Sequence, residues 1–409
     1  MLQYRRTTVA VLMALLSPLA IADLIQDSKT TVEIRNLYMN RDFRQTSAPQ
    51  AKAEDWGVGA LLNFQSGYTP GFLGAGFDVA ALTGIKLDSG RGTRGTGTLP
   101  YSPDSGRSPD QFSAVMPTIK LRVNKSELRY GNLWPTLPVL FRNDTRLLPQ
   151  SFYGTMIEDR SFDGLHLTAA DIHSTRLRDS TGRDDLTVFG VAPTVNSDDM
   201  KIIGAEYEAS PELQGKFFRS EVKDIYKQNF YNAILQKKFE RFSVKLDLRY
   251  FDSNDSGSSR GGNIDNRNLN GLFTVTHLGH AVTFGYQKMI GSSAFPIING
   301  TDPYTANLMT SQPFIRPNEK SLQLRYDLNM VMFGLPGLSF MSRYAKGTNI
   351  DRGPLPNDKE WERDLDIKYV IQSGALKNVY GMWRNTSYRS RYANDIDENR
   401  IILGYTFEF

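Results

Sequence analysis

The sequence predicts an all-β protein, a transmembrane antiparallel β-barrel of about 18 strands with one inward-folded constriction loop. Three observations carry this. Period-2 alternation of apolar and polar residues recurs from end to end, and helical periodicity never takes hold. Short and long connections alternate along the chain. The last ten residues place Ile401, Leu403, Tyr405, Phe407 and Phe409 on one face of an extended strand, and Arg400, Gly404, Thr406 and Glu408 on the other. An apolar outer face, a partly polar inner face and a terminal aromatic suit the closing strand of a barrel that touches lipid outside and water inside.

The elements follow in order. The chain opens with Arg5-Arg6, an apolar run over 9–16 and Ala20-Ile21-Ala22. This is the plan of a secretory signal peptide, so 1–22 is expected to be a signal peptide and 23–409 a single barrel domain. No later apolar run approaches the ~18 residues of a membrane helix, which excludes a helical membrane protein. Cysteine is absent, so there is no disulfide framework and no thiolate metal site. The net charge of +4 is scattered and gives no nucleic-acid face.

Strand candidates begin near residues 31, 56, 72, 113, 127, 162, 186, 201, 215, 228, 242, 269, 280, 320, 338, 364, 377 and 400. An even count suits a closed bacterial barrel with both ends on one side. Short turns fall at Asn124-Lys125-Ser126, Glu240-Arg241, Leu278-Gly279, Leu335-Pro336-Gly337 and Ser373-Gly374-Ala375. Long polar loops fall at 43–55, 87–111, 134–160, 252–268, 291–319, 346–362 and 389–399. The stretch 173–185 breaks the rule, being long where a short turn should fall. There is no internal repeat beyond the hairpin rhythm, and no N-terminal globular block that could act as a plug.

Parity within each strand assigns the inner wall. With Leu365, Ile367 and Tyr369 outside, Asp366 and Lys368 face inward; with Val379 and Trp383 outside, Arg384 does. The same rule puts Arg325, Arg343, Arg35, Arg41, Lys120, Arg122, Arg129, Lys245 and Arg249 inside. Charge belongs inside any membrane barrel, because a cation facing lipid costs a few kcal/mol near the midplane. The sign is more informative. The inward acids in these strands are chiefly Glu33, Glu127, Asp247, Asp327 and Asp366, so cations are in surplus. A cationic wall draws in anions, and guanidinium binds carboxylate with two parallel hydrogen bonds.

The segment 132–152 is apolar and stiffened by Pro135, Pro138 and Pro149, unlike the other loops. It is expected to fold into the barrel within a constriction loop at 134–160, placing Arg142 or Arg146 at the narrowest point.

The motifs Arg35-Asn36-Leu37-Tyr38-Met39-Asn40-Arg41-Asp42, Pro135-Thr136-Leu137-Pro138-Val139 and Thr145-Arg146-Leu147-Leu148-Pro149-Gln150 occur in order. Phe162-Asp163-Gly164-Leu165, Glu319-Lys320-Ser321 and Arg325-Tyr326-Asp327-Leu328-Asn329 follow. Gly334-Leu335-Pro336-Gly337-Leu338-Ser339-Phe340-Met341 leads to Arg343-Tyr344, and Lys368-Tyr369-Val370-Ile371-Gln372-Ser373-Gly374 ends the series. With this order and spacing, essentially the whole mature chain resembles the OprD-type specific porins of pseudomonads and related bacteria.

The resemblance implies an outer-membrane channel of a Gram-negative cell, with a narrow eyelet and a ladder of basic residues that guides carboxylates. By matching segments, Arg41, Arg146, Lys368, Arg384 and Arg400 resemble ladder positions. Parity adds Arg35, Arg325 and Arg343 to the candidate substrate-binding wall. Where such proteins carry a second arginine beside Arg384, this chain has Met382, which implies a weaker lower ladder. The expected function is passive diffusion of small, often aromatic, carboxylate-bearing nutrients. A channel for basic amino acids or small peptides, or a less selective general porin, is the alternative. Expected partners are small organic anions and outer-membrane lipid and lipopolysaccharide, with no nucleic acid, no cofactor and no metal; the barrel is a monomer or a loose homotrimer.

Two other classes fit the sequence less well. An outer-membrane hydrolase needs a nucleophile beside a base, but only His166, His173, His277 and His280 exist, with no Gly-x-Ser-x-Gly elbow and no zinc spacing. An adhesin with a sealed interior differs from a porin in conducting no current.

Overall fold

In a membrane, every backbone N–H and C=O of an extended chain must find a partner strand, and the sheet must close on itself. The computed structural model describes residues 24–409 apart from Arg91, Pro103 and residues 354–356; the expected signal segment 1–22 lies outside the described residues. The strands are β1 (Lys29–Phe43), β2 (Lys52–Gln65), β3 (Gly74–Asp88), β4 (Gln111–Val123), β5 (Ser126–Leu133) and β6 (Ser151–Asp159). Next come β7 (Leu165–Arg176), β8 (Met200–Ser210), β9 (Leu213–Val222), β10 (Tyr226–Lys238), β11 (Ser243–Asp255) and β12 (Asp265–His277). The last are β13 (His280–Ile290), β14 (Lys320–Asn329), β15 (Leu338–Ile350), β16 (Asp358–Val370), β17 (Tyr380–Ser390) and β18 (Ile396–Glu408).

These form one 18-stranded antiparallel sheet in which sequence neighbours pair, and β18 pairs with β1 to close it. Phe409 N–H donates to Thr30 C=O at 2.9 Å, so the two ends of the barrel chain meet beside the short turns. Short turns mark the periplasmic side of a bacterial barrel and long loops the outside. The two-residue turn Leu278-Gly279 has φ of 45° and 84°, the left-handed pair that matches the strand twist.

The expected count of strands is met by two compensating errors. β6 falls inside the expected loop 134–160, which therefore ends at 150. The strand expected near 186 is only Leu186–Thr187, paired with Asn196–Ser197 inside a loop. Alternation fails in β6 because both of its faces are apolar: Phe152 and Met156 are buried inside, while Ile157 faces out. With β6 in place, 160–164 is the short turn and β7 continues to Arg176. The stretch 173–185 thus spans the end of a strand and the start of a long outer loop.

Parity sorts the two faces as expected. Leu324, Tyr344, Ile367, Trp383, Ile401 and Leu403 are exposed on the outer belt. The inner face departs from the simple rule, because much of it is apolar and packed. Phe218, Phe230 and Phe251 point inward, with the rings of the last two 4.5 Å apart. They bury Phe295, Ile298 and Ile315 from the loop 291–319 and Leu137 and Leu140 from the loop 134–150. The hydrophobic core therefore sits within the barrel, between wall and loops.

A cation at mid-belt tests the face assignment. Leu324→Arg is expected to lower unfolding stability by about 2–4 kcal/mol in vesicles, measured by denaturant titration, whereas a similar change at a lumen position such as Ser339 costs far less.

Candidate functional site

Five adjacent strands and the first one build the inner wall that matters. Register aligns their inward residues into rows about 7 Å apart along the strands. One row runs Arg325, Arg343, Asp364, Thr386, Glu398, Arg41 across β14 to β18 and β1. The next runs Asp366, Arg384, Arg400, Met39. Cations and carboxylates face each other along these rows. Arg343 Nε lies 2.8 Å from Asp364, Arg384 Nη2 lies 2.6 Å from Asp366, and Glu398 receives both Arg41 at 2.8 Å and Arg400 at 2.5 Å.

Two long loops are tied to this wall. In the loop 134–150, Leu147 and Leu148 bury against Leu37, Leu82, Leu99 and Met116. Arg35 donates to Asp144 Oδ1 at 2.9 Å and to the carbonyl of Arg146 at 2.5 Å. In the loop 291–319, the N–H groups of Ser311 and Gln312 donate to the two oxygens of Glu362 at 2.7 and 2.9 Å. Thr310 Oγ1 donates to Asp364 at 2.9 Å, and Arg343 donates to Leu308 C=O at 3.0 Å. Arg400, 1 % exposed, reaches both loop tips, with Thr145 C=O and Thr310 C=O each at 3.5 Å. The loops also hold each other: Asn143 Nδ2 donates to Asp302 at 2.6 Å, and Gln150 Nε2 to Asn299 C=O at 3.1 Å.

Between the loop tips and the wall lies a cavity of about 410 Å³. Arg146, Arg178, Arg343, Arg384 and Arg400 line it, against the single acid Asp302; Phe189, Ile297, Leu308 and Met309 supply apolar surface. Arg146 and Arg178 differ from the rest, because among the described residues no carboxylate lies within ion-pair distance of either. Arg146 Nε donates to Thr96 C=O at 2.8 Å, and Arg178 Nη1 to Asn143 Oδ1 at 2.7 Å. Burial, reinforced by Arg400, Arg178 and Arg41, holds the Arg146 guanidinium well below its ordinary value. Burial lowers Arg178 as well. A cation disfavoured in this way gains from any anion brought beside it. Burial also pushes Asp302 up to about 6, outweighing the opposing pull of Arg178, Arg146 and Arg400.

Of the residues singled out from sequence, Arg146, Arg343, Arg384 and Arg400 converge on the cavity. Arg41 stands behind Arg400 on the same carboxylate. Arg325 is bound to Asp327 at 2.7 Å, and Arg35 is engaged by Glu33 and Asp144 as a loop tether. Lys368 lies on the periplasmic side of Asp366 with Nζ 4.7 Å from the ring centroid of Tyr380. That ring covers Gly404, where a Cβ would meet it at 2.5 Å. Arg142 lies over the Trp134 ring, 5.4 Å away, and lines a separate pocket.

The expected surplus of inward cations needs correction. Asp78 pairs with Lys120 at 2.7 Å, and Glu360, Glu362, Asp364 and Glu398 are all buried on the inner wall. Glu360, Glu362 and Glu398 lie at the outer ends of β16 and β18, inside the stretches 346–362 and 389–399 expected as loops, where strand parity assigns no face. Arg178 and Asp302 were missed altogether. The loop 291–319 carries Phe295, Ile297, Ile298, Phe314 and Ile315, the same apolar signal that marked 134–150, and would have been found by it.

Comparison with known proteins follows the same lines. The sequence family described as outer membrane porin, OprD family, matches residues 22–409. The porin-like protein GalP of Pseudomonas putida is 36 % identical over 386 residues, covering 93 % of this chain and 92 % of that one. The crystal structure of Pseudomonas aeruginosa OccK9 (OpdG) is 40 % identical, with a TM-score of 0.93 over 94 % of this chain and 100 % of that one. That of Pseudomonas aeruginosa OpdK with vanillate is 34 % identical, with a TM-score of 0.90 and the same coverage.

Two outcomes are expected from this geometry. Glu362→Ala removes the acceptor of two loop N–H groups, so single-channel recordings should show a larger and noisier conductance while the barrel stays folded. Asp302 loses its negative charge as pH falls through about 6, so the cavity gains one positive charge on acidification. Anion selectivity should rise from pH 7.5 to pH 5, and Asp302→Asn should hold the acidic value at both pH values; reversal potentials in a salt gradient check this.

Proposed function

The chain belongs to the OprD family of outer-membrane porins, and from that premise we propose that it passes small carboxylate-bearing nutrients along a path of guanidinium and ammonium groups. It is a channel of the Gram-negative outer membrane and not an enzyme. The observation that carries the finer reading is the pair Arg146 and Arg178, two cations without carboxylate partners among the described residues, beside an apolar surface. That combination suits a molecule with a carboxylate at one end and an apolar body. The relative OpdK was crystallised with vanillate, an aromatic carboxylate, which supports the same class here.

Passage is passive. A carboxylate exchanges its water for Arg178 and Arg146, moves to Arg384 and Arg400 at the wall, and leaves past Lys368. Each paired guanidinium holds it weakly, because its own carboxylate competes. Such weakness is useful, since conduction needs binding favourable enough to enter and weak enough to leave. Arg35 and Arg41 shape the path by holding loop and wall, Arg343 does so from within the cavity lining, and Arg325 is engaged by Asp327. With Met382 where a further arginine could stand, the lower path relies on Lys368 and Tyr380. A channel for basic amino acids would need acids free to meet an amine; the wall acids are occupied by arginines and loop N–H groups, leaving Asp302 alone among cations.

Liposome swelling across benzoate, aliphatic acids and arginine is the test. Aromatic monocarboxylates are expected to enter fastest, and Arg146→Ala with Arg178→Ala to slow them about tenfold, equivalent to about 1.4 kcal/mol. Equal rates for benzoate and arginine in the native barrel would sink the assignment.

A further inference from the structure

The outer wall carries a feature that passage does not use. On the belt, the outward residues Ala205, Phe217, Tyr231, Tyr250 and Leu269 form one register row across β8 to β12. Leu213, Leu235, Leu246 and Phe273 form a parallel row nearer the periplasm. Between them, Gly215 and Ala233 stand side by side on β9 and β10, flanked by Tyr207 and Leu248. Two adjacent small residues between rows of large ones leave a trough, an almost wholly apolar concavity of about 560 Å³. A Cβ on Gly215 would meet only Asn232 C=O, at 3.8 Å.

Below the trough the same face of β10 carries Lys237, four residues and about 13 Å from Ala233. This is an exposed lysine on the lipid side, at the periplasmic edge. Its ammonium lies 5.9 Å from the Phe239 ring centroid, and Phe239 stacks on Phe242 at 4.6 Å. Arg241 in the following turn adds positive charge and Glu240 and Glu212 in the adjacent turns offset it, while Lys238 has the inward parity, so Lys237 is the cation on this face of β10. Aromatic rings and a lysine at the end of an apolar belt mark the headgroup level, where a cation attracts anionic lipid.

We propose that this face binds one anionic phospholipid of the periplasmic leaflet, with an acyl chain in the trough over Gly215 and Ala233 and the phosphate at Lys237. The trough is continuous with the lipid-facing belt, and its distance from Lys237 matches the run from headgroup to mid-chain. A second barrel would need a protruding counterpart and about 800 Å² per partner to be stable there. A flexible chain fills a concavity without either.

Native mass spectrometry of the folded, detergent-solubilised barrel tests this with phosphatidylglycerol and phosphatidylethanolamine of identical acyl chains. The native protein should retain one phosphatidylglycerol about fivefold better than phosphatidylethanolamine. Lys237→Ala should bring the two lipids level. Gly215→Leu with Ala233→Leu should lower retention of both about tenfold. Single-channel conductance, set on the other side of the wall, should stay native in all variants and so reports correct folding. Equal retention of the two lipids by the native barrel overturns the proposal. So does undiminished retention in the filled variant, or an oligomer that disappears on filling the trough.

Discussion

Glu398 holds Arg41 and Arg400 on one buried carboxylate, and Arg400 in turn touches the tips of both inward loops. The candidate site depends on this arrangement. Arg400 is a full positive charge almost sealed from water, which is tolerable only because Glu398 beside it is sealed too. Buried charges of this kind demand partners and good geometry, and removing either partner leaves the other uncompensated. The pair therefore holds Arg400 where the carbonyls of both loop tips meet it.

The same logic explains why a wall so rich in arginines is also rich in acids. Glu360, Glu362, Asp364 and Asp366 follow one another down the inner face of β16. Each has an internal duty. Glu360 accepts from Tyr388 and Tyr392, Glu362 from two loop N–H groups, Asp364 from Arg343 and Thr310, and Asp366 from Arg384. Their charge is largely spent inside the protein. What remains toward the cavity is set by Arg146 and Arg178, guanidiniums with no carboxylate within ion-pair distance among the described residues, which come from loops and not from the wall.

A barrel of this width is held open by its sheet and narrowed by its loops, and the two tasks use different chemistry. The sheet uses backbone pairing and an apolar exterior. The loops use a second, internal hydrophobic core, in which Phe295 meets Phe251 at 4.9 Å, together with side-chain carboxylates acting on loop N–H groups. That core sets Phe218, Phe230 and Phe251 on the inner face of β9 to β11, among polar inward residues such as Gln228, Asn232, Asp247 and Arg249, where a water-filled barrel is usually polar throughout.

The fold class, the strand parity and the inward placement of Arg35, Arg41, Arg325, Arg343, Lys368, Arg384 and Arg400 were legible in the chain, because a period of two in lipid has one solution. The loop 134–150 was legible from its apolar, proline-rich composition. β6 was not, since Phe152 and Ile157 make both of its faces apolar and erase the alternation. Which cations are free was not legible either. Arg384 and Asp366 lie 18 positions apart in sequence, and Arg41 and Glu398 lie 357 apart. Ion pairing depends on register and closure, which bring together residues remote in the chain. By itself the sequence determined a closed barrel with charge inside; only the tertiary structure decided which charges neutralise each other and which face the cavity.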